Sequence, residues 1–447
     1  MPVRCLRILG QIPPIPPRRV AFFANLQSIF FDNSEETAVL STMVHGIPSY
    51  GGRLLPVLNL LYPGSDNLLV LERDPAPDIL AWFRDELGLD LPPIATLAHH
   101  DYLAPKSPRM AALRTQLEAH PAPWLDGYVT DRRLCEIAAA TQKQTRSCAG
   151  ASQRGNNKYQ LHCFLEANDL PVFDSEVAES ANEVAPALAR LRARGYRHAC
   201  LKAAIGASGI GLRKVATDAP VATVEDFFFG DDPCLVQGWL DERSAGVTRI
   251  ESPSVQLWLD DDWLAMYDLT SQILSAESIH EGNFAPPAWQ ASCPDLVNTL
   301  LAQAEVAATW LHGQGYRGAA SIDYHVTWDA EERPEVRICE INARVTGATY
   351  PSLLARKLAP ANAWRMQNLH FPSALPCATL LDALCQAQVA FRPGDENGFV
   401  PINANLMADG LVEKCQLLAL APTSTGCLAL LERLEHILPV EFLHDRD

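Results

Sequence analysis

YRGAASIDYHVTWDAEERPEVRICEINARVTGATY, residues 316–350, divides into two segments around a polar centre, DAEERP. This pattern predicts two strands joined by a turn. Side chains two apart on a strand face the same side. Ser321, Asp323 and His325 therefore share a face of the first strand, and Glu340, Asn342 and Arg344 share a face of the second. Folding about the polar centre brings Asp323 near Glu340. Two carboxylates, an amide oxygen and a nearby cation then converge. Such hard oxygen ligands suit Mg²⁺ beside phosphate, with the remaining positions left to water and phosphate. The same residues also fit a plain hairpin with a solvated charged face.

The run C-E-I-N-A-R, residues 339–344, resembles the E-x-N-x-R metal and phosphate motif of the ATP-grasp superfamily, with Asp323 as the upstream partner carboxylate. The resemblance implies an α/β protein with α+β lobes: two lobes sandwiching ATP. It also implies that Asp323, Glu340 and Asn342 hold Mg²⁺ and that Arg344 is catalytic.

A length of 447 residues predicts two to four domains. A hydrophobic content of 48% with 20% charged residues is that of a globular protein. The net charge of −17 argues against a nucleic-acid partner, which needs a concentrated basic face. A local basic pocket for phosphates is compatible with it. The 12 cysteines are scattered and form no C-x-x-C pair. Buried thiols in a reducing cytoplasm are expected, not a zinc or disulfide framework. No run approaches ~18 apolar residues, so neither a spanning helix nor a membrane partner is expected. The opening MPVRCLRILGQIPPIPPRR is broken by prolines and makes no signal-peptide core. It reads as an irregular lead-in to the first strand.

RRVAFFAN (18–25) and NLLVLERD (67–74) are predicted strands, and APDILAWFRDELGLD (76–90) a helix. Strand followed by helix predicts an α/β layer. HGIPSYGGRLLP (45–56) is glycine-rich but lacks the G-x-G-x-x-G order. DRRLCEIAAATQKQTR (131–146) reads as a helix and SCAGASQRGNN (147–157) as a polar loop. Helices are expected over 158–169 and 181–195, the second closed by Gly195. Hairpins are expected over 198–215 and 254–274, with a strand at 234–242 and a long helix over 295–315. These elements predict an N-terminal α/β domain over 1–130 and a two-lobed domain over 131–365, its N-lobe to about 242 and its C-lobe from 243. A small C-terminal α/β domain is expected over 366–447.

Lys202 lies on a strand just before IGASGIG. Gly206, Gly209 and Gly211 let backbone N–H groups approach a phosphate, and Ser208 adds a hydroxyl. This is not a Walker loop, because there is no G-K-[ST] and a strand follows. A plain β-turn fits the residues equally. In the ATP-grasp pattern, one lysine precedes a helix and a second lies on the strand before such a loop; Lys158 and Lys202 match those positions. Gln237-Gly238-Trp239-Leu240 resembles the hinge between the two lobes, where backbone groups read the adenine edge and an apolar side chain packs on the ring. Asp241 comes early for the family's ribose-binding acid, and Ser244 stands nearer the usual spacing. Trp239 would also suit a core.

A narrower resemblance links FFANLQS, HGIPSYGGR and HEGNFAPP to peptide ligases of the pheganomycin type, which carry a "pre-ATP-grasp" domain. It implies a carboxylate activated by ATP as an acylphosphate, then attacked by the amine of an amino acid or short peptide, releasing ADP. Lys202 and Arg344 would neutralise the transferring phosphoryl group. Gln272, His280, Glu281 and Asn283 would line the substrate end, with Asp268 as another contact; HEGNFAPP also reads as an ordinary surface loop. The partners implied are small molecules of specialised metabolism, with a homodimer allowed. Two other classes stay open: another ATP-grasp chemistry such as carboxylation, for which no biotin-carrier motif is found, and a non-catalytic nucleotide-binding scaffold.

Overall fold

The computed structural model describes residues 3–16, 18–31, 63–207, 209–220, 223–230, 232–242, 246–274 and 280–440, with 35, 37, 38 and 244 besides. HGIPSYGGRLLP and Ser208 lie outside the described residues.

The chain does not open with an irregular lead-in. β1 (Arg4–Arg7) pairs in parallel with residues 263–266 and so joins the largest sheet. The next five strands form a parallel sheet: β2 (Val20–Phe23), β3 (Leu68–Leu71), β4 (Ile94–Thr96), β5 (Trp124–Gly127) and β6 (Gln144–Thr145), in the order β4-β3-β2-β5-β6. VAFF and LLVL are buried at every position, as strands covered on both faces must be. The helix expected over 131–146 ends at Ala140; Gln142 turns left-handed at φ 54°, and the chain re-enters the sheet as β6.

SCAGASQRGNN is not a loop either. Ala149–Gly155 is a helix whose small residues allow close approach to the end of a strand. Ser152 Oγ and Asn156 Nδ2 donate to the Ala343 carbonyl at 2.9 and 3.3 Å, one residue before Arg344. The helix Lys158–Ala167 follows, its N-terminus capped by the Asn157 side chain, which accepts from Gln160 N.

β7 (Ser175–Ala178), β8 (His198–Ala207), β9 (Ile210–Ala216) and β10 (Cys234–Gly238) make an antiparallel sheet in the order β7-β10-β8-β9. Val184, Leu188 and Leu191 of the helix Ala181–Ala193 pack on its Leu201 and Val236, forming a core of its own.

The largest sheet has ten strands. They include β11 (Arg249–Glu251), β12 (Pro253–Leu259), β13 (Trp263–Leu274), β14 (His280–Ala285), β15 (Gly318–Trp328) and β16 (Pro334–Asn342). β17 (Ala363–Pro376), β18 (Gly398–Leu406) and β19 (Leu411–Ala421) continue it, since β17 pairs with both β14 and β19. Leu300, Ala304, Ala307 and Leu311 of the helix Pro294–Gly313 cover Val255, Leu257 and Ile322 on one face. The residues after 366 therefore share a sheet with the hairpin that carries Asp323. Their Phe371, Leu380 and Phe399 also share a core with Leu71, Trp82 and Phe83 of the N-terminal unit.

Candidate active site

The β15–β16 hairpin begins in regular register, with Trp328 opposite Pro334 and Tyr324 opposite Ile338. Continued regularly, it would set Cys339 opposite Asp323. A one-residue bulge at Cys339 shifts the pairing, so Asp323 stands opposite Glu340 and Ser321 opposite Asn342. Bulges re-aim side chains in this way. Like charges directly opposite on a sheet destabilise it, so the pair needs compensation.

Much of that compensation is visible. Asp323 accepts from Ser254 Oγ at 2.6 Å and from Asn342 Nδ2 at 2.9 Å. Glu340 pairs with Lys158 Nζ at 2.9 Å. Arg344 donates to Asn342 Oδ1. Burial, reinforced by Glu340, raises the Asp323 carboxyl above the usual carboxylate range. Burial pushes Glu340 the same way, but Lys158 and Arg344 outweigh it and hold that carboxyl low. The two acids thus sit in different electrostatic settings 17 positions apart in sequence and side by side in space.

A cleft of about 370 Å³ opens beside this pair, between the four-stranded and ten-stranded sheets. Lys158, Lys202, Gly206, Gly209, Gln237, Trp239, Leu240, Asp241, Gln272, His280, Asp323 and Glu340 all line it. Lys202 is buried on β8, its ammonium 5.5 Å from the centre of the Phe173 ring. Lys158 donates to the Gly206 carbonyl at 2.9 Å, tying the glycine hairpin to the carboxylate pair. Gly206 itself has no room for a side chain: a Cβ would come within 2.6 Å of the Ile210 carbonyl across the hairpin.

The segment 237–241, expected as a hinge, lies in the cleft wall. Trp239 is half-buried in the cleft wall, with Lys214 Nζ 4.5 Å from its ring centre, and is not a core residue. Asp241 also lines the cleft and pairs with Lys214 at 3.5 Å. Ser244 closes the turn instead, accepting from Asp241 N at 2.9 Å. Phe173 and His325 were not anticipated as cleft residues, and Phe173 lies on no strand or helix. Burial, with Lys202 and Arg337 nearby, lowers the His325 imidazole to about 4.

A second, polar cavity of about 150 Å³ adjoins the cleft. Arg344, Asn342, Asn283, Tyr128, Thr346 and Gly347 contribute to its wall. Gln272, His280, Asp323 and Glu340 line both spaces. Tyr128 comes from just beyond β5, and its carbonyl accepts from Val345 N at 3.0 Å. HEGNFAPP begins as the strand β14 and is not a surface loop. Two expected substrate contacts fail. Glu281 is buried but lines neither cavity, because it is the extra residue of a bulge that pairs Leu274 with His280 and Ile273 with Gly282. Asp268 is buried among structural partners: it accepts from Ser352 Oγ at 2.5 Å and from Arg356 and Trp364 Nε1 at 3.2 Å.

No family model matches the chain, and no curated protein matches it in sequence. Solved structures match its architecture along almost the whole length. N5-carboxyaminoimidazole synthase from Aspergillus clavatus, in complex with ADP and 5-aminoimidazole ribonucleotide, is 15% identical with a TM-score of 0.54, covering 94% of this chain and 99% of its own. N5-carboxyaminoimidazole ribonucleotide synthetase from Thermus thermophilus is 13% identical with a TM-score of 0.55, covering 95% and 100%. Biotin carboxylase from Campylobacter jejuni, as a β-γ-ATP complex, is 12% identical with a TM-score of 0.55, covering 95% and 92%. The fold is ATP-grasp. At these identities the likeness concerns the fold alone. In the ATP-grasp arrangement the parallel N-terminal sheet precedes two lobes, and the cleft lies between those lobes.

The residues present fit a divalent cation. Among the described residues no three His, Cys, Asp or Glu side chains form a metal-binding group. Asp323 and Glu340 nevertheless face each other, half-buried, with the Asn342 amide beside them. Two carboxylates and an amide oxygen are a sparse, hard donor set of the kind Mg²⁺ takes with water and phosphate. Asn342 now turns Nδ2 toward the acids, so a half-turn of the amide would present Oδ1.

All twelve cysteines are unpaired; five are buried, while Cys148 and Cys163 are exposed. No helix among the described residues is long and apolar enough to cross a membrane.

Proposed function

We propose that this chain is an ATP-dependent enzyme that activates a carboxyl group as its mixed anhydride with phosphate and transfers it to an amine. One observation carries the reading: the Asp323–Glu340 pair lies at the wall shared by a large cleft and a small polar cavity. ATP would occupy the cleft, its adenine by Trp239 and Leu240 and its phosphates by Lys158, Lys202 and the 206–211 backbone. Asp323, Glu340 and Asn342 would hold Mg²⁺, which supplies charge neutralisation between phosphate oxygens. Arg344, on the cavity side, would bind the carboxyl group and the oxyanion that develops on it. Positioning and charge are the main contributions the protein can make to such a transfer.

Two carboxyl sources fit. Bicarbonate is favoured by the likeness of fold to a biotin carboxylase and to N5-carboxyaminoimidazole synthases. An amino acid, giving a peptide bond, is favoured by the resemblance of FFANLQS, HGIPSYGGR and HEGNFAPP to peptide ligases of the pheganomycin type. The polar cavity of about 150 Å³ suits a small carboxyl compound of either kind. One assay separates them: ADP release with bicarbonate, with single amino acids, and with both withheld. Turnover that needs bicarbonate selects carboxylation, and turnover that needs an amino acid selects ligation. Formation of AMP in place of ADP would overturn the acylphosphate route.

A further inference from the structure

β12 is buried at every residue, yet one of its faces is not apolar. Val255 and Leu257 meet the helix Pro294–Gly313, while Ser254 and Gln256, two apart, share the opposite face. We propose that Gln256 is a positioning residue. Through Ser254 it orients Asp323, the candidate cation ligand, and through Thr346 it ties that carboxylate to the loop bearing Arg344. The proposal rests on the cation reading above.

Register and hydrogen bonds carry it. Between β12 and β15, Ser254 stands opposite Asp323 and Gln256 opposite Ser321. Ser254 Oγ lies 2.6 Å from Asp323 Oδ1. An ionised carboxylate only accepts, so the serine proton points at it and leaves the serine oxygen to accept in turn. Gln256 Nε2 supplies that bond at 2.9 Å. The same Nε2 lies 3.5 Å from Thr270 Oγ1, whose own proton goes to the Ser254 carbonyl at 3.3 Å. With its NH₂ turned this way, the Gln256 amide presents Oε1 on the far side, where Thr346 Oγ1 donates to it at 3.4 Å. Thr346 N donates to Thr349 Oγ1 at 3.0 Å, at the start of the helix Thr349–Leu358. Donation therefore runs one way, from Thr346 through Gln256 and Ser254 to the carboxylate.

Both ends of this row stand in the site: Ser254 and Thr346 line the polar cavity with Asp323 and Arg344. Its middle is sealed, with Gln256 0% and Ser254 2% exposed, so water cannot replace a lost bond there. Thr346 is two residues after Arg344, and Val345 N between them donates to the Tyr128 carbonyl at 3.0 Å. Asp323 Oδ1 is thus fixed from the sheet, by Ser254 and, at 3.3 Å, by Ser321. Oδ2 accepts from Asn342, the amide that would join it at the cation. Partners of this kind orient a ligand before the metal arrives, and losing one typically costs about 10–100-fold in metal affinity or activity.

Calorimetry of ADP binding to the full-length protein, with Mg²⁺ or with EDTA in its place, tests the assignment. In the wild type Mg²⁺ should tighten ADP binding. Gln256→Met keeps the length of the side chain and loses its hydrogen bonds. Its Kd for ADP should rise by about tenfold or more in Mg²⁺ and by less than about twofold in EDTA. A residue that merely held the sheet together would weaken both arms alike. Thr346→Val should raise the Mg²⁺ value by about threefold or more, while Thr346→Ser, which keeps the hydroxyl, should match the wild type. Equal losses in both arms, or no loss with Mg²⁺, would overturn the role of Gln256. Unchanged binding by Thr346→Val would overturn the tie to the Arg344 loop. If Gln256→Met does not fold by circular dichroism, Ser254→Ala takes its place under the same two criteria. A wild type that binds ADP equally with and without Mg²⁺ would instead remove the cation reading, which keeps the two failures apart.

Discussion

Lys158 Nζ and Glu340 Oε2 lie 2.9 Å apart, an ion pair that joins the start of one helix to the strand bearing the candidate metal ligands. The same ammonium donates to Gly206 of the glycine hairpin. Lys158→Met should therefore disturb both the carboxylate pair and the glycine hairpin at that end of the cleft. Turnover should drop by about 10²-fold, the scale for losing one charge contact in a transition state. ADP release under saturating ATP checks it, and a loss below about threefold would contradict the role.

Asp323 provides a pH prediction. Burial and Glu340 raise its carboxyl from 3.8 to about 6 in the folded protein. The folded state then holds the proton more tightly than the unfolded chain. In buffer without Mg²⁺, the stability linked to this group is present at low pH and lost as pH rises from about 4 to about 6. Asp323→Asn should flatten that slope and raise Tm at pH 7 by roughly 2–4 °C, corresponding to about 1 kcal/mol for a domain of ordinary size. It should also abolish turnover. A Tm titration of both proteins between about pH 4 and 7 decides the matter.

Arg344 is the one cation of the polar cavity wall among the described residues. Arg344→Ala should reduce hydroxamate trapping by about 10²-fold. Circular dichroism should stay unchanged, because Arg344 is only half-buried and donates to the Asn342 side chain at the cavity wall. Trapping at the wild-type rate would place the oxyanion elsewhere.

Gly206→Ala should weaken nucleotide binding by opening the hairpin at the Ile210 carbonyl. The KM for ATP should rise by about tenfold, or ~1.4 kcal/mol, with little change in Tm. Hydrogen exchange over 205–211 should slow in the wild type on adding an ATP analogue with Mg²⁺, and less so in the variant.

Asp268 tests the opposite kind of residue. Its carboxylate sits buried against Arg356, Ser352 and Trp364. Asp268→Ala strands the buried guanidinium and should cost about 3–5 kcal/mol, seen as a lower denaturant midpoint. Turnover per folded molecule should hold, which a substrate contact would not allow.

The pairing of Asp323 with Glu340 was legible because strand alternation and a polar turn are local signals. The bulge that achieves it was not. One extra residue at Cys339 reverses which side chains face the cleft, and nothing in RICEIN marks it. Glu281 misled for the same reason on β14. Asp268 misled because its partner Arg356 is 88 residues away, and a buried ion pair leaves no periodic trace. The helix Ala149–Gly155 was hidden by its own composition: Ala, Gly, Ser and Gln look like a loop until packed on Ala343. RCLR at 4–7 became a strand through an edge supplied by residues 263–266, a partner no local window contains. That Lys158, Lys202, the 206–211 hairpin and residues 237–241 gather at one cleft was suggested by the sequence because each is a short segment whose character lies in its own residues.

Gly238 N donates to the Asp174 carbonyl at 2.8 Å. The polypeptide thus leaves the four-stranded sheet beside the point where it came in, and that sheet has its own apolar centre. In engineering terms, residues 175–237 form a cassette with adjoining ends. A short linker between Asp174 and Gly238 would bridge the excised chain without stretching it, and a foreign segment of similar end spacing could be spliced in its place. The cleft wall that bears Lys202 and the glycine hairpin is thereby one contiguous stretch of chain, while Asp323, Glu340 and Arg344 lie outside it, so the two walls can change in sequence independently.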